Sequence, residues 1–105
     1  MTDEQARVLA RGTNIAVTHL EGRAFPGIHV QGDTFSALLQ QFAAAADRWR
    51  HSPDDREALE DLEYTVEEMT DILRYYESVL AAHHIRLPYA RAATGGEDAG
   101  GGSGV

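Results

Sequence analysis

The first thirty residues contain short apolar runs separated by turn residues. The first two runs are rich in β-branched residues, and in the third apolar positions alternate with polar ones. Strands are therefore expected at about residues 6–10, 14–20 and 27–31. The turns between them are marked by Arg11-Gly12-Thr13 and Glu21-Gly22-Arg23. A three-stranded antiparallel meander is the simplest arrangement of these strands.

After residue 33 the apolar spacing changes to three and four, which predicts a helix over residues 34–51. Asp33 is the expected N-cap, because its carboxylate can accept free N–H groups of the first turn. The apolar stripe of this helix covers about four turns. It consists of Phe35, Leu38, Leu39, Phe42, Ala46 and Trp49. We expect Phe42 and Trp49 to lie in the core.

A second helix is predicted over residues 54–84, with Ser52 as its N-cap and Pro53 at the first helical position. Its apolar residues recur at alternating spacings of three and four, which is typical of a continuous seam of heptad positions a and d. The seam consists of Leu59, Leu62, Val66, Met69, Leu73, Tyr76 and Leu80. Because the link at Ser52-Pro53 is short, the two helices are expected to be antiparallel neighbours.

These elements predict an α+β fold, in which an N-terminal three-stranded antiparallel meander is followed by a long antiparallel helical hairpin. A chain of 105 residues can form one hydrophobic core, so residues 1–91 are expected to form a single domain. Residues 92–105 contain six of the ten glycines and no large apolar residue before Val105. This segment is expected to be a flexible, disordered tail.

The second predicted helix is longer than the first by roughly 18 Å at 1.5 Å per residue. Its overhanging part must pack on the sheet or meet a second copy of the chain, since apolar residues left in water form an exposed patch. Both alternatives remain open for this part of the helix. The residues concerned are Leu73, Tyr76, Val79 and Leu80.

The charge is concentrated in the second predicted helix. Residues 53–84 contain ten acidic residues and two arginines, and so carry the whole formal net charge of −8. Such a charge repels nucleic acid and anionic membranes, and it attracts basic partners. We expect a protein partner, either a second copy or a basic protein, with no binding of nucleic acid or membrane. The candidate docking residues are Glu60, Glu63, Glu67 and Asp71.

The sequence offers little catalytic or metal-binding chemistry. Cysteine is absent, no nucleophile or phosphate-loop motif occurs, and the adjacent His83 and His84 lack the i,i+4 spacing of helical zinc ligands. We therefore expect no enzyme activity, no cofactor and no metal. The first residues lack a secretory apolar segment and no run approaches about 18 apolar residues, so the cytoplasm is the expected compartment.

The stretch from Gly22 to Asp33 reads GRAFPGIHVQGD, and a closing IRLPY follows the second predicted helix. With these features, roughly residues 13–90 resemble a small bacterial family known only as a domain of unknown function. The resemblance implies no activity, cofactor or catalytic residue. If the turn between strands two and three bound a ligand, Arg23 and Gln31 would be the residues to test.

Three functions remain open at this point. The first is a non-enzymatic protein-interaction module that uses the acidic long helix and the apolar seam. The second is an inhibitor of the immunity or antitoxin type, whose acidic helix covers a basic toxin or nuclease. The third is a small-ligand-binding domain with a pocket lined by Arg23, His29 and Gln31.

Overall fold

The computed structural model describes residues 4–90 and has the predicted α+β architecture. A three-stranded antiparallel sheet is followed by two helices, which confirms the fold class. The elements are β1 (Ala6–Arg11), β2 (Ile15–Leu20), β3 (Gly27–Val30), α1 (Gly32–His51) and α2 (Arg56–Ala82). The predicted tail at residues 92–105 lies outside the described residues. Neither described helix is long and apolar enough to cross a membrane.

The sheet is a meander with β2 in the centre. Val17 of β2 lies opposite Ala10 of β1 on one side and Ile28 of β3 on the other. The β1–β2 register shifts between Val8 and Ala10, which indicates a bulge. The turn into β3 contains Gly22 at φ 84, a backbone conformation that glycine adopts without steric cost.

One face of the sheet packs on the C-terminal half of α2. Val17 and Leu80 are fully buried, and Tyr76 and Val79 complete the cluster. The Tyr76 hydroxyl donates a buried hydrogen bond of 2.7 Å to the carbonyl oxygen of Pro26. Burial raises the pKa of the Tyr76 phenol. This core joins α2 to the strand-two–strand-three connection, 50 residues earlier in the chain.

The start of α1 differs from the prediction. Helical structure begins at Gly32, the N-cap is Gln31, and no side chain caps the helix. The Gln31 N–H donates to the Asn14 carbonyl, so sheet pairing continues up to the helix and Asp33 falls inside the first turn. The Asp33 carboxylate accepts instead from the adjacent N–H of Thr34.

The predicted cap of α2 is also wrong. Ser52 is the C-cap of α1, and its N–H donates to the Arg48 carbonyl. The N-cap of α2 is Asp55, whose carboxylate accepts from the Ala58 N–H at 3.0 Å. Because Ser52 ends α1, Pro53 lies in the connection and α2 begins at Arg56. The prediction placed this start two residues too early.

Candidate functional site

The two helices contact each other through small and polar side chains. Ala45 of α1 and Ala58 of α2 are fully buried, and Thr65 is 1% exposed. The Gln41 side-chain amide donates to the Thr65 hydroxyl at 2.6 Å and to the Glu68 carboxylate at 3.0 Å. Small residues allow two helices to approach closely while occupying little width of the helix surface. The most exposed large apolar residues of the hairpin lie outside this contact, whereas Leu38, Leu62 and Ile72 are half-buried.

The hydrogen bonds also fix the direction of the helices. Gln41 is level with Thr65 and Glu68, whereas Arg48, about two turns later in α1, bonds Asp61 at 2.9 Å. Residue numbers rise along α1 as they fall along α2, so the helices are antiparallel. The hydrogen bond to Asp61 raises the pKa of Arg48.

Eight large hydrophobic side chains of the hairpin are substantially exposed, and all of them except Tyr64 point to one side. On α1, Phe35, Leu39 and Phe42 are 60%, 58% and 40% exposed. On α2 the exposed fractions of the residues on that side range from 36% at Leu59 to 51% at Val66, and Tyr64, on another side, is 57% exposed. The complete set, which we call the apolar face, is Phe35, Leu39, Phe42, Leu59, Val66, Met69 and Leu73. The expectation that Phe42 lies in the core is therefore wrong, whereas Trp49 is half-buried.

These seven residues lie on one side of the hairpin. At about 100° per residue, the exposed side chains of α1 stand on average about 90–110° round the helix from Gln41 and Ala45. The exposed side chains of α2 stand on average about 75° round the helix from Ala58 and Thr65. In both helices the rotation from the contact residues to the exposed residues has the same sense as the winding of the chain from N- to C-terminus. Because the helices are antiparallel, displacement in the winding direction carries both sets to the same side. The apolar face is thus continuous across α1 and α2.

The area of the apolar face is large for a chain of this size. At roughly 200 Å² for each residue of this size, the exposed fractions leave about 650 Å² on the seven side chains. The largest apolar patch on a typical monomer is about 300–600 Å² and is often functional. One partner in a standard protein–protein interface buries about 800 Å².

The predicted seam of α2 is divided between two environments. Tyr76, Val79 and Leu80 are buried in the cluster with Val17 of the sheet. Leu73, the fourth residue of the candidate packing set, is 41% exposed and belongs to the apolar face. The overhanging part of α2 therefore packs on the sheet through its last two turns, while Leu73 lies outside that contact.

The four candidate acidic residues form a separate stripe. All are exposed, and helical geometry places Glu60, Glu63 and Glu67 on the side of α2 that faces away from α1, with Asp71 at the edge of that side. They are Glu60, Glu63, Glu67 and Asp71. Asp71 also borders an open cleft of about 610 Å³ between α1 and α2, together with Asp33 and Glu68. No group of three potential metal ligands is close enough to hold an ion within residues 4–90.

The structure does not bring the candidate ligand residues of the turn together. Arg23, before β3, borders an open cleft of about 460 Å³ with Arg7 and His19. Gln31 lies beyond the other end of β3, at the start of α1. His29 is exposed and does not line the Arg23 cleft. The structure therefore does not place Arg23, His29 and Gln31 around one pocket.

Two polar positions were missed by sequence reasoning. Thr65 lies in the contact between the helices. The only sequence feature that indicated its burial was its seven-residue spacing from Ala58. Glu77 is 8% exposed and accepts a hydrogen bond of 3.0 Å from the Tyr89 hydroxyl. Nothing in the spacing separates Glu77 from the exposed acids of α2.

His83 and His84 follow α2, and His84 has φ 59.

Comparison with known proteins assigns a family. The chain belongs to a family of unknown function, DUF6959, whose model matches residues 1–89. No curated protein and no solved structure matches the chain.

Proposed function

We propose that the protein is a non-enzymatic protein-interaction module whose binding surface is the apolar face. The observation that carries this proposal is the exposure of seven large apolar side chains on one side of the hairpin, each between 36% and 60%. The helices contact each other through Ala45, Ala58 and Thr65 instead. The large residues therefore contribute little to the packing of α1 on α2, and an interaction role explains their presence.

The free energy available from covering this face is comparable to the cost of association. Removing about 650 Å² from water contributes about 16 kcal/mol at 25 cal/mol per Å². Association costs an estimated 4–15 kcal/mol in lost translational and rotational freedom, with further costs for ordering side chains. An apolar partner surface adds its own buried area to the favourable side. A stable complex therefore depends on the apolar area that the partner also buries.

The acidic stripe supports a second candidate function, in which the protein inhibits a basic toxin or nuclease. Glu60, Glu63, Glu67 and Asp71 are all exposed and lie on one side of α2. Such a stripe attracts a basic surface and accelerates association at low salt. Catalysis is a weaker explanation, because a catalytic pair of carboxylates needs two environments that separate their pKa values. The net charge of −8 also opposes binding to nucleic acid.

A photo-cross-linking amino acid placed at Leu39 in cells tests the proposal. We expect a discrete covalent product with a protein, because Leu39 lies in the apolar face. The matched control carries the same amino acid at Gln40, which is exposed but points to another side of α1. Absence of a product at Leu39, or the same product at both positions, contradicts the proposal. The same amino acid is also placed at Glu63 in the acidic stripe. A product formed only from that position supports the second candidate function, inhibition of a basic toxin or nuclease.

A further inference from the structure

We propose, on the basis of the function above, that the occupant of the apolar face is a second copy of this chain. The two hairpins form a four-helix bundle about a twofold axis parallel to the helices, with α1 of each chain on α2 of its partner.

The residues of the sequence outside 4–90 offer little apolar surface. Residues 1–3 and 91–105 contain only Met1 and Val105 as large apolar residues. Two side chains of this size are too few to cover about 650 Å² of apolar surface. This composition favours an occupant from another chain.

A second copy presents a surface of matching chemistry and size. Two apolar faces placed together bury about 1,300 Å² in total, within the standard range of about 1,200–2,000 Å² for stable interfaces. The rows of apolar residues at spacings of three and four on both helices are those that pack in four-helix bundles. A closed twofold dimer uses the same patch on both subunits, so no apolar face is left exposed.

The charge distribution selects the arrangement of the helices. Residues 56–82 of α2 contain eight acidic residues and two arginines, a net charge of −6. By contrast, residues 34–46 of α1 contain no charged residue. Placing α2 on α2 would bring two acidic helices together, whereas α1 on α2 pairs an acidic helix with a neutral one. Like charges across an interface are unfavourable, which favours the second arrangement.

This arrangement fixes which residues meet across the interface. Rotation about a twofold axis parallel to the helices leaves the position of each residue along that axis unchanged. Because Gln41 is level with Thr65 and Glu68 in its own chain, Leu39 lies level with about residue 68 of the partner's α2. Val66 is then about 3 Å away along the axis. In the alternative arrangement, with α1 on α1, Leu39 meets α1 of the partner and cannot reach α2.

Disulfide formation between single-cysteine variants tests the proposal, because the chain has no cysteine of its own. Leu39→Cys and Val66→Cys are prepared separately, mixed in denaturant, refolded together and oxidised. We expect covalent dimers from the mixture and few from either variant alone. Wild-type chain and both reduced variants are first examined by sedimentation velocity at about 100 µM. A second pair, Ala46→Cys with Leu62→Cys, repeats the test nearer the link between the helices. In this pair the Ala46 substitution removes no large side chain.

Three results would contradict the proposed dimer. They can be distinguished from results that contradict the proposed interaction function. Covalent dimers from each single variant alone, or no covalent dimer from either mixed pair, would exclude the α1-on-α2 arrangement. A wild-type chain that is monomeric at about 100 µM would exclude the second copy. If that monomer still forms a cross-link from Leu39 to another protein in cells, the interaction function stands. If it forms none, both proposals are wrong.

Discussion

Replacing Tyr76 by phenylalanine removes one buried hydrogen bond that joins α2 to the sheet. The Tyr76 hydroxyl donates to the Pro26 carbonyl at 2.7 Å, and the Tyr76 residue is only 4% exposed. Pro26 is itself buried. In Tyr76→Phe the ring still fills its site, so the change isolates the hydrogen bond from the packing.

The expected loss of stability follows from the Pro26 carbonyl left without its donor. An unsatisfied buried acceptor costs about 1–3 kcal/mol, and the absence of a charged group places this site at about 1–2 kcal/mol. For a domain of this size, each kcal/mol lowers the melting temperature by about 4–8 °C. The free energy of unfolding in Tyr76→Phe should therefore fall by about 1–2 kcal/mol.

Urea unfolding followed by circular dichroism at 222 nm measures this difference. All variants are compared at one protein concentration, because association makes apparent stability depend on concentration. The control is Tyr64→Phe, which changes a residue that is 57% exposed and should shift the free energy by less than about 0.5 kcal/mol. Equal effects of the two substitutions would refute the role assigned to Tyr76.

The pH dependence gives an independent check on the same group. Burial raises the pKa of folded Tyr76 above the ordinary value of 10.0. The neutral phenol therefore contributes stability that is fully present below pH 10 and decreases as the pH rises through the folded pKa. The stability difference between wild type and Tyr76→Phe should narrow above pH 10. A difference that stays constant up to the pH at which the chain unfolds would show that the phenol does not ionise differently in the two states.

Three further substitutions test local features by thermal or urea unfolding. Asp55→Ala should cost about 1 kcal/mol, because it removes the side-chain cap of α2, whereas the neighbouring Asp54→Ala should have little effect. Gly22→Ala should destabilise by about 1 kcal/mol because the residue has φ 84, and an equal effect of Gly27→Ala would contradict this explanation. Ala45→Leu should cost about 1–3 kcal/mol by separating the two helices, and unchanged stability would show that the contact is loose.

The order and type of the elements could be predicted because each has its own period in the sequence. The start of α2 could not, since Ser52, Asp54 and Asp55 can all act as caps and only the end of α1 decides among them. Asp33 failed as a cap for a similar reason, because sheet pairing by Gln31 decides where α1 begins. Local sequence signals identify residues that can act as helix caps, and the tertiary structure determines which of them does.

The apolar seam shows a different limit of sequence reasoning. Spacings of three and four identify which side of α2 is apolar, but they do not say what covers that side. In the structure the last turns of the seam pack on Val17 of the sheet, whereas Val66 and Leu73 are about half exposed. The contact between the helices uses Ala58 and Thr65, whose small side chains gave a much weaker signal.

The molar mass of the purified protein in solution tests the central claim most directly. Light scattering after gel filtration should give about 23 kDa for the wild type, twice the chain mass of 11.5 kDa. The double variant Leu39→Gln with Val66→Gln, which changes no charge, should give the mass of one chain and keep its helical circular dichroism. The control double variant, Gln40→Ala with Glu67→Gln, alters exposed residues outside the apolar face and should remain dimeric. A wild type with the mass of one chain, or a Leu39 and Val66 variant that stays folded and dimeric, would contradict self-association through the apolar face.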